Sequence, residues 1–213
     1  MPVSSHQPIH IGDFIDACYL IERKLGEGGM TAVYLAQDWQ DNKNQVVIKI
    51  ISEEFAAHPK AAIALQHEAE ILGQLNHPAI VQLLKHDASK IILEYVGGVT
   101  LKQALQQAEI YFATQQSRTT ILRQLKAALN YLHGQGIVHG DVKPGNIILQ
   151  TNSKIKLIDF SLARFYKKEN NFDPTELLAY TPAYASKNVQ AGKPVMPDDD
   201  WHAFGIISQQ ISD

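Results

Sequence analysis

Two aspartates, one lysine and one asparagine are grouped in the second half of the chain. They occur in His139-Gly140-Asp141-Val142-Lys143-Pro144-Gly145-Asn146 and, 18 residues after Asp141, in Ile158-Asp159-Phe160. An aspartate within reach of a hydroxyl can orient it and accept its proton. A lysine two residues further on can neutralise charge on a transferred phosphoryl group. An asparagine and a second aspartate can supply the hard oxygens that Mg²⁺ prefers. Each residue has an ordinary alternative, since Asp and Asn are common in turns and Pro144-Gly145 is itself a turn signal. Together and in this order they point to phosphoryl transfer.

Two features nearer the N-terminus fit the same chemistry. Leu25-Gly26-Glu27-Gly28-Gly29-Met30-Thr31-Ala32-Val33 is a glycine-rich turn, where missing side chains let backbone N–H groups approach phosphate oxygens. A plain hairpin turn would read similarly, and a strand rather than a helix follows, which disfavours a dinucleotide fold. Lys49 is the one charge within Val46-Val47-Ile48-Lys49-Ile50-Ile51. A buried ammonium needs an anion; a lysine snorkelling from a sheet edge is the plainer reading. Glu68 falls three residues after Leu65 and four before Leu72, on the apolar stripe of its helix, whereas Glu70 suits the solvated face. A Lys49–Glu68 pair is therefore expected, with the lysine also able to reach a phosphate.

The elements that must hold these groups change character along the chain. Residues 21–35 and 45–51 read as strands of a hairpin sheet, broken by the glycines and by Asp41-Asn42-Lys43-Asn44. Residues 60–75 carry helical periodicity and stop at Asn76-His77-Pro78. Strands are expected at 80–84 and 91–96, and Gly97-Gly98 marks the linker between two lobes. Beyond it come a short helix from Thr100 and a long one over 117–133 with the stripe Ile121, Leu125, Leu129, Leu132. Short strands at 136–138, 147–149 and 154–158 then frame polar loops.

A net charge of −3 gives no footprint for nucleic acid or a membrane surface, so neither is expected as a partner. No apolar stretch approaches a membrane span, and Cys18 is the single cysteine, which excludes an intramolecular disulfide and fits a reducing cytoplasm.

With these residues in place, the chain resembles the Hanks-type (eukaryotic-like) serine/threonine protein kinases from about Tyr19 onward, in a small bacterial-type form lacking the C-terminal helices. The resemblance implies an α+β bilobal fold: an N-terminal antiparallel sheet plus one helix over about 19–96, and a mainly helical, shortened C-terminal lobe over about 97–213, after an extension at 1–18. It implies that Leu25, Gly26, Gly28 and Val33 belong to the phosphate-covering loop and that Lys49 and Glu68 form the strand-to-helix ion pair. Glu94-Tyr95-Val96 becomes an adenine-contacting hinge after Leu93, and Ile148 with Val33 and Val47 encloses the adenine. Asp141 becomes the catalytic base, Lys143 a γ-phosphate contact, and Asn146 with Asp159 the ligands of Mg²⁺ or Mn²⁺ accompanying ATP. Thr181-Pro182-Ala183-Tyr184 resembles a peptide-positioning loop, and Asp200-Trp201-His202-Ala203-Phe204-Gly205 the start of a buried helix; both imply a protein substrate.

Departures from the family pattern carry their own expectations. Thr31 stands in place of a third loop glycine and should stiffen the turn. Gly140 replaces an arginine that anchors a phosphorylated activation segment in many relatives, so control through that contact is not expected. Ser161 replaces the glycine after Asp159-Phe160, losing backbone freedom there. Ser186-Lys187-Asn188 stands where Ala-Pro-Glu is usual, and the chain ends at Asp213 before the helices that carry that glutamate's arginine partner; the coincidence favours a natural short form. The last helix, with Phe204, Ile207 and Ile211 on one side and Ile206 nearby, should then offer apolar surface to a partner, a second copy or a downstream domain. Thr175 and Thr181 are candidate phosphorylation sites.

Two other functions compete. A small-molecule kinase of the aminoglycoside or choline type also carries His-Gly-Asp with Gly-Asn downstream, but Lys143 and the Thr181–Tyr184 loop fit a protein kinase better. A nucleotide-binding pseudokinase scaffold would be expected to lose Lys49, Asp141 or Asp159, and all three are present.

Overall fold

The computed structural model describes residues 9–107, 111–112, 114–168 and 180–212. Thr175 lies outside them. The chain forms two compact units. The first comprises the described residues up to Gly73 together with Gln82–Tyr95, and the second Gln74–Val81 with the described residues from Val96 onward.

In the first unit the order is β1 (Phe14–Ile15), β2 (Tyr19–Gly28), β3 (Thr31–Asp38), β4 (Asn44–Ile51), α1 (Ala61–Gly73), β5 (Leu83–His86) and β6 (Lys90–Glu94). The strands make one antiparallel sheet in the order β1-β2-β3-β4-β6-β5. Alternation along β3 and β4 sends Ala32, Tyr34, Ala36, Val46 and Ile48 into a core with Ile21 and Ile92. The register places Lys49 directly beside Val33 and Ile91, and Gly26 beside Val33. These residues share the opposite face with Val47, two positions along the strand.

Lys90, at the start of β6, is also buried. Its ammonium lies 2.9 Å from Asp16 and bonds Asp87. Burial pushes the Asp87 carboxyl up, but the Lys90 ammonium and the Ser89 N–H and hydroxyl outweigh it and bring it down to about 2. This pair ties the turn before β6 and the bend after β1 to one another.

In the second unit the order is β7 (Val99–Thr100), α2 (Leu101–Leu105), α3 (Gln115–Gly134), β8 (Ile137–Val138), β9 (Ile147–Leu149), β10 (Ile155–Leu157), β11 (Arg164–Phe165), α4 (Lys187–Gln190) and α5 (Pro197–Ser212). Thr100 begins α2 with a reciprocal capping box, its hydroxyl accepting Gln103 N–H and the Gln103 side chain accepting Thr100 N–H. The expected stripe of α3, Ile121, Leu125, Leu129 and Leu132, is fully buried; each such side chain contributes about 2 kcal/mol. No helix among the described residues is long and apolar enough to cross a membrane.

Two expectations change. Ile80 is not in a strand of the sheet. It makes an isolated parallel bridge with Leu157, and the Val81 N–H donates to Leu157 O, so β5 starts only at Leu83. The last helix is also less open than its sequence implied. Ala203, Ile207 and Ile211, four residues apart, form its buried stripe, and α5 packs on α3. Of the residues expected to be open, Phe204 and Ile206 remain half-exposed.

Candidate active site

In the first unit, the Lys49 ammonium lies 2.9 Å from Glu68 Oε1 and 2.7 Å from Oε2. Both residues are buried, at 6% and 2% exposure, so the expected pair exists and is largely withdrawn from water. Glu68 reaches it because α1 turns its Leu65, Glu68 and Leu72 stripe inward.

The glycine turn lies between β2 and β3. Gly29 takes φ +57° at its tip, and the Thr31 hydroxyl donates to Gly28 O at 3.2 Å. A glycine at position 31 could not make this hydrogen bond. Gly26 and Gly28 are different: neither has positive φ, and a Cβ on either would meet nothing within 4 Å. Local packing and backbone conformation therefore do not require glycine at either position. Leu25 beside them is exposed, and Val33 and Val47 are half-buried. The Glu94 carboxylate accepts the Gln82 N–H at 2.9 Å.

In the second unit the loop between β8 and β9 is held by hydrogen bonds from several segments. His139 Nδ1 accepts the Asp141 N–H at 3.2 Å, which leaves Nε2 to donate to Ile158 O at 3.2 Å; the two contacts fix one tautomer. The His139 ring meets Phe160 edge-on at 4.7 Å. Gly140 has φ +79°, and a Cβ there would sit 2.6 Å from Leu162 O. Asp200 lies beneath, 2% exposed. Its Oδ2 accepts His139 N–H at 2.9 Å and lies 2.8 Å from His133 Nε2, and its Oδ1 accepts Gly140 N–H at 3.0 Å.

Asp141, held by this frame, divides its carboxylate. Oδ2 takes the Lys143 ammonium and the Asn146 amide at 3.0 Å, and Oδ1 accepts the Thr181 hydroxyl at 2.9 Å. Lys143 also reaches Thr181 Oγ1 at 2.9 Å. Asn146 spends its Nδ2 on Asp141, on the backbone O as well as Oδ2. That orientation makes Oδ1 the Asn146 atom suited to a cation. The Ile158 N–H donates to Asn146 O at 2.8 Å, which brings Asp159 close behind. Asp159 takes φ +61°. Ser161, expected to suffer from lacking glycine's freedom, is not among the residues of positive φ; the unusual conformation lies two residues earlier, where an aspartate tolerates it. Ile148 is the half-exposed member of β9.

Sequence reasoning picked the residues that converge on Asp141 but missed the Asp200 contact with His133 and the Ser186 contact with Asp199. Both cross from a loop or helix end to α5, and no periodicity announces them.

A family model described as a protein kinase domain matches residues 19–212, and the chain belongs to that family. Similar curated proteins include the serine/threonine-protein kinase PknB of Mycolicibacterium smegmatis, 30% identical over 96% of this chain and 33% of its own length. PknB of Mycobacterium tuberculosis is 29% identical with the same coverages. A probable serine/threonine-protein kinase of Clostridium acetobutylicum is 30% identical over 95% of this chain and 31% of its own. The chain thus spans about a third of the length of the curated relatives it matches.

Proposed function

We propose that the chain is a serine/threonine protein kinase that transfers the γ-phosphoryl group of Mg-ATP to hydroxyls of proteins, its own included. The observation that carries this reading is the Thr181 hydroxyl on Asp141 Oδ1: a hydroxyl-bearing side chain can lie against that carboxylate while Lys143 stands beside both.

The donor set fits the cofactors such chemistry uses. Gly26 and Gly28 offer bare backbone with open space around it, suited to phosphates, and Lys49 offers a cation fixed by Glu68. Leu25, Val33, Val47, Glu94, Val96 and Ile148 are proposed to hold the nucleotide. Asn146 Oδ1 and the Asp159 carboxylate would hold Mg²⁺ or Mn²⁺, which supplies charge neutralisation at the phosphates when bound.

The residues then have distinct tasks. Asp141 orients the acceptor hydroxyl and takes its proton, and Lys143 balances the negative charge that accumulates beside it. Asp200 and His139 keep the loop from relaxing. Most of the catalysis is positioning and electrostatics. The lone buried Cys18 is compatible with the cytoplasm, the compartment proposed here.

Incubation with labelled ATP, Mg²⁺ and a basic protein such as myelin basic protein tests the reading. Wild type should label protein, Lys49→Met and Asp141→Asn should not, and a chelator should abolish transfer. Label appearing only on small cationic metabolites, or equally in all three proteins, would overturn it.

A further inference from the structure

The two adjacent aspartates near the start of α5 hold different loops. Asp200 holds the backbone of His139 and Gly140. Asp199, 8% exposed, takes the Ser186 hydroxyl on Oδ1 and the Met196 N–H on Oδ2 at 2.7 Å. Ser186 in turn accepts the N–H groups of Asn188 at 3.1 Å and Val189 at 3.3 Å, capping α4. Its hydroxyl is fully used, with one bond donated to a largely buried carboxylate and two accepted. Such a charge-assisted bond is among the stronger ones available to a neutral side chain.

Ser186 closes a short loop that begins at Thr181. Gln190 Nε2 braces that loop from within, donating to Ala185 O at 2.9 Å and Pro182 O at 3.4 Å. At its other end Thr181 touches Asp141 and Lys143. A small cavity beside Asp141 is lined by Thr181, Tyr184, Ser186, Val189 and Asp199, so the Ser186–Asp199 contact is also one of its walls. Neighbouring residues of one helix therefore fix both sides of the acceptor position: Asp200 the loop carrying Asp141, and Asp199 the loop carrying Thr181. No carboxylate stands in Ser186-Lys187-Asn188, and Lys187 and Asn188 are exposed, so this segment is anchored by its serine.

We propose that the Ser186–Asp199 hydrogen bond is a latch that sets the register of the 181–186 loop against Asp141, making both side chains positioning residues for the protein acceptor. The inference rests on the protein-kinase reading and deepens it by naming what aligns the acceptor. Removing the Ser186 hydroxyl leaves the Asp199 carboxylate short of a donor in a buried place, and the loop loses its fixed end.

Two measurements on the full chain test it. In steady-state phosphorylation of myelin basic protein, Ser186→Ala and Asp199→Ala should each raise the protein KM about tenfold, the usual effect of losing one charge-assisted bond. The ATP KM should be unchanged. Ser186→Thr, which keeps the hydroxyl, should stay within about twofold of wild type, and the double alanine variant should be no worse than Asp199→Ala alone. In amide hydrogen exchange, both alanine variants should lose protection over 186–190 while Ser186→Thr keeps it. Unchanged protection over 186–190, or equal losses in the protein and ATP parameters, would overturn the latch. A wild type that labels no protein would overturn the kinase reading instead, and the exchange result would still decide whether the latch exists.

Discussion

The turn at 26–31 and the loop at 139–146 both contain glycines at the centre of the proposed chemistry, for opposite reasons. A Cβ at Gly26 or Gly28 would meet nothing, whereas one at Gly140 would press on Leu162 O at 2.6 Å with the backbone already at φ +79°. The loop is tied by His139, Asn146 and Asp200; the turn is held by the β2–β3 ladder, by the Thr31 hydroxyl and by the Ser52 N–H on Met30 O at 3.0 Å. A glycine required by the fold belongs to a region that must not move. The open space at Gly26 and Gly28 suits the proposed approach of a phosphate to the backbone.

This contrast breaks most visibly at Asp141. Asp141→Asn should lower the rate of protein phosphorylation by about 10²–10⁴-fold, the range for a lost general base, with little change in ATP affinity by equilibrium titration. Similar losses in rate and affinity would mean that the loop is scaffold and not chemistry. Gly140→Ala comes next. Strain at that φ and the clash with Leu162 should cost about 1–3 kcal/mol, seen as a Tm lower by roughly 3–8 °C, with reduced turnover because Asp141 moves. The expectation drawn from the sequence, that Gly140 matters through an absent arginine, is joined here by a steric reason for glycine: no larger residue enters without strain.

Gly28→Ala should behave in the opposite way. Stability should change by no more than about 0.5 kcal/mol in urea denaturation, while the ATP KM rises by several-fold because the methyl occupies the approach to the backbone. A large loss of stability would contradict the open surroundings of Gly28. The smallest effect is expected for Ser161→Gly, which should shift stability by a few tenths of a kcal/mol and leave turnover unchanged, because the left-handed conformation belongs to Asp159.

Particular residues show how much was legible. The pairing of Lys49 with Glu68 could be read from one charge in a β-branched run and one acid on an apolar stripe, since burial forces opposite charges to meet. The stripe of α3 was equally plain. The last helix misled: its apolar residues read as uncovered, but Ile207 and Ile211 are buried and α5 packs on α3, a choice that pattern alone does not make. The strand expected at 80–84 failed for a related reason, because Ile80 is bridged to Leu157, 77 residues away in the chain, through the bonds of Ala79 O and Val81 N–H to Leu157.

The sequence by itself singled out the candidate residues Lys49, Glu68, Asp141, Lys143, Asn146 and Asp159 by type and order, because local spacing and burial demand constrain where ionisable groups can go. Only the tertiary structure decided which neighbours hold them. Asp199 and Asp200 differ by one position yet grip Ser186 and the His139–Gly140 backbone respectively. Hydrogen bonds between distant segments depend on how helix α5 is rotated in its packing, and that rotation is set by the whole core and not by the residues that make the bonds.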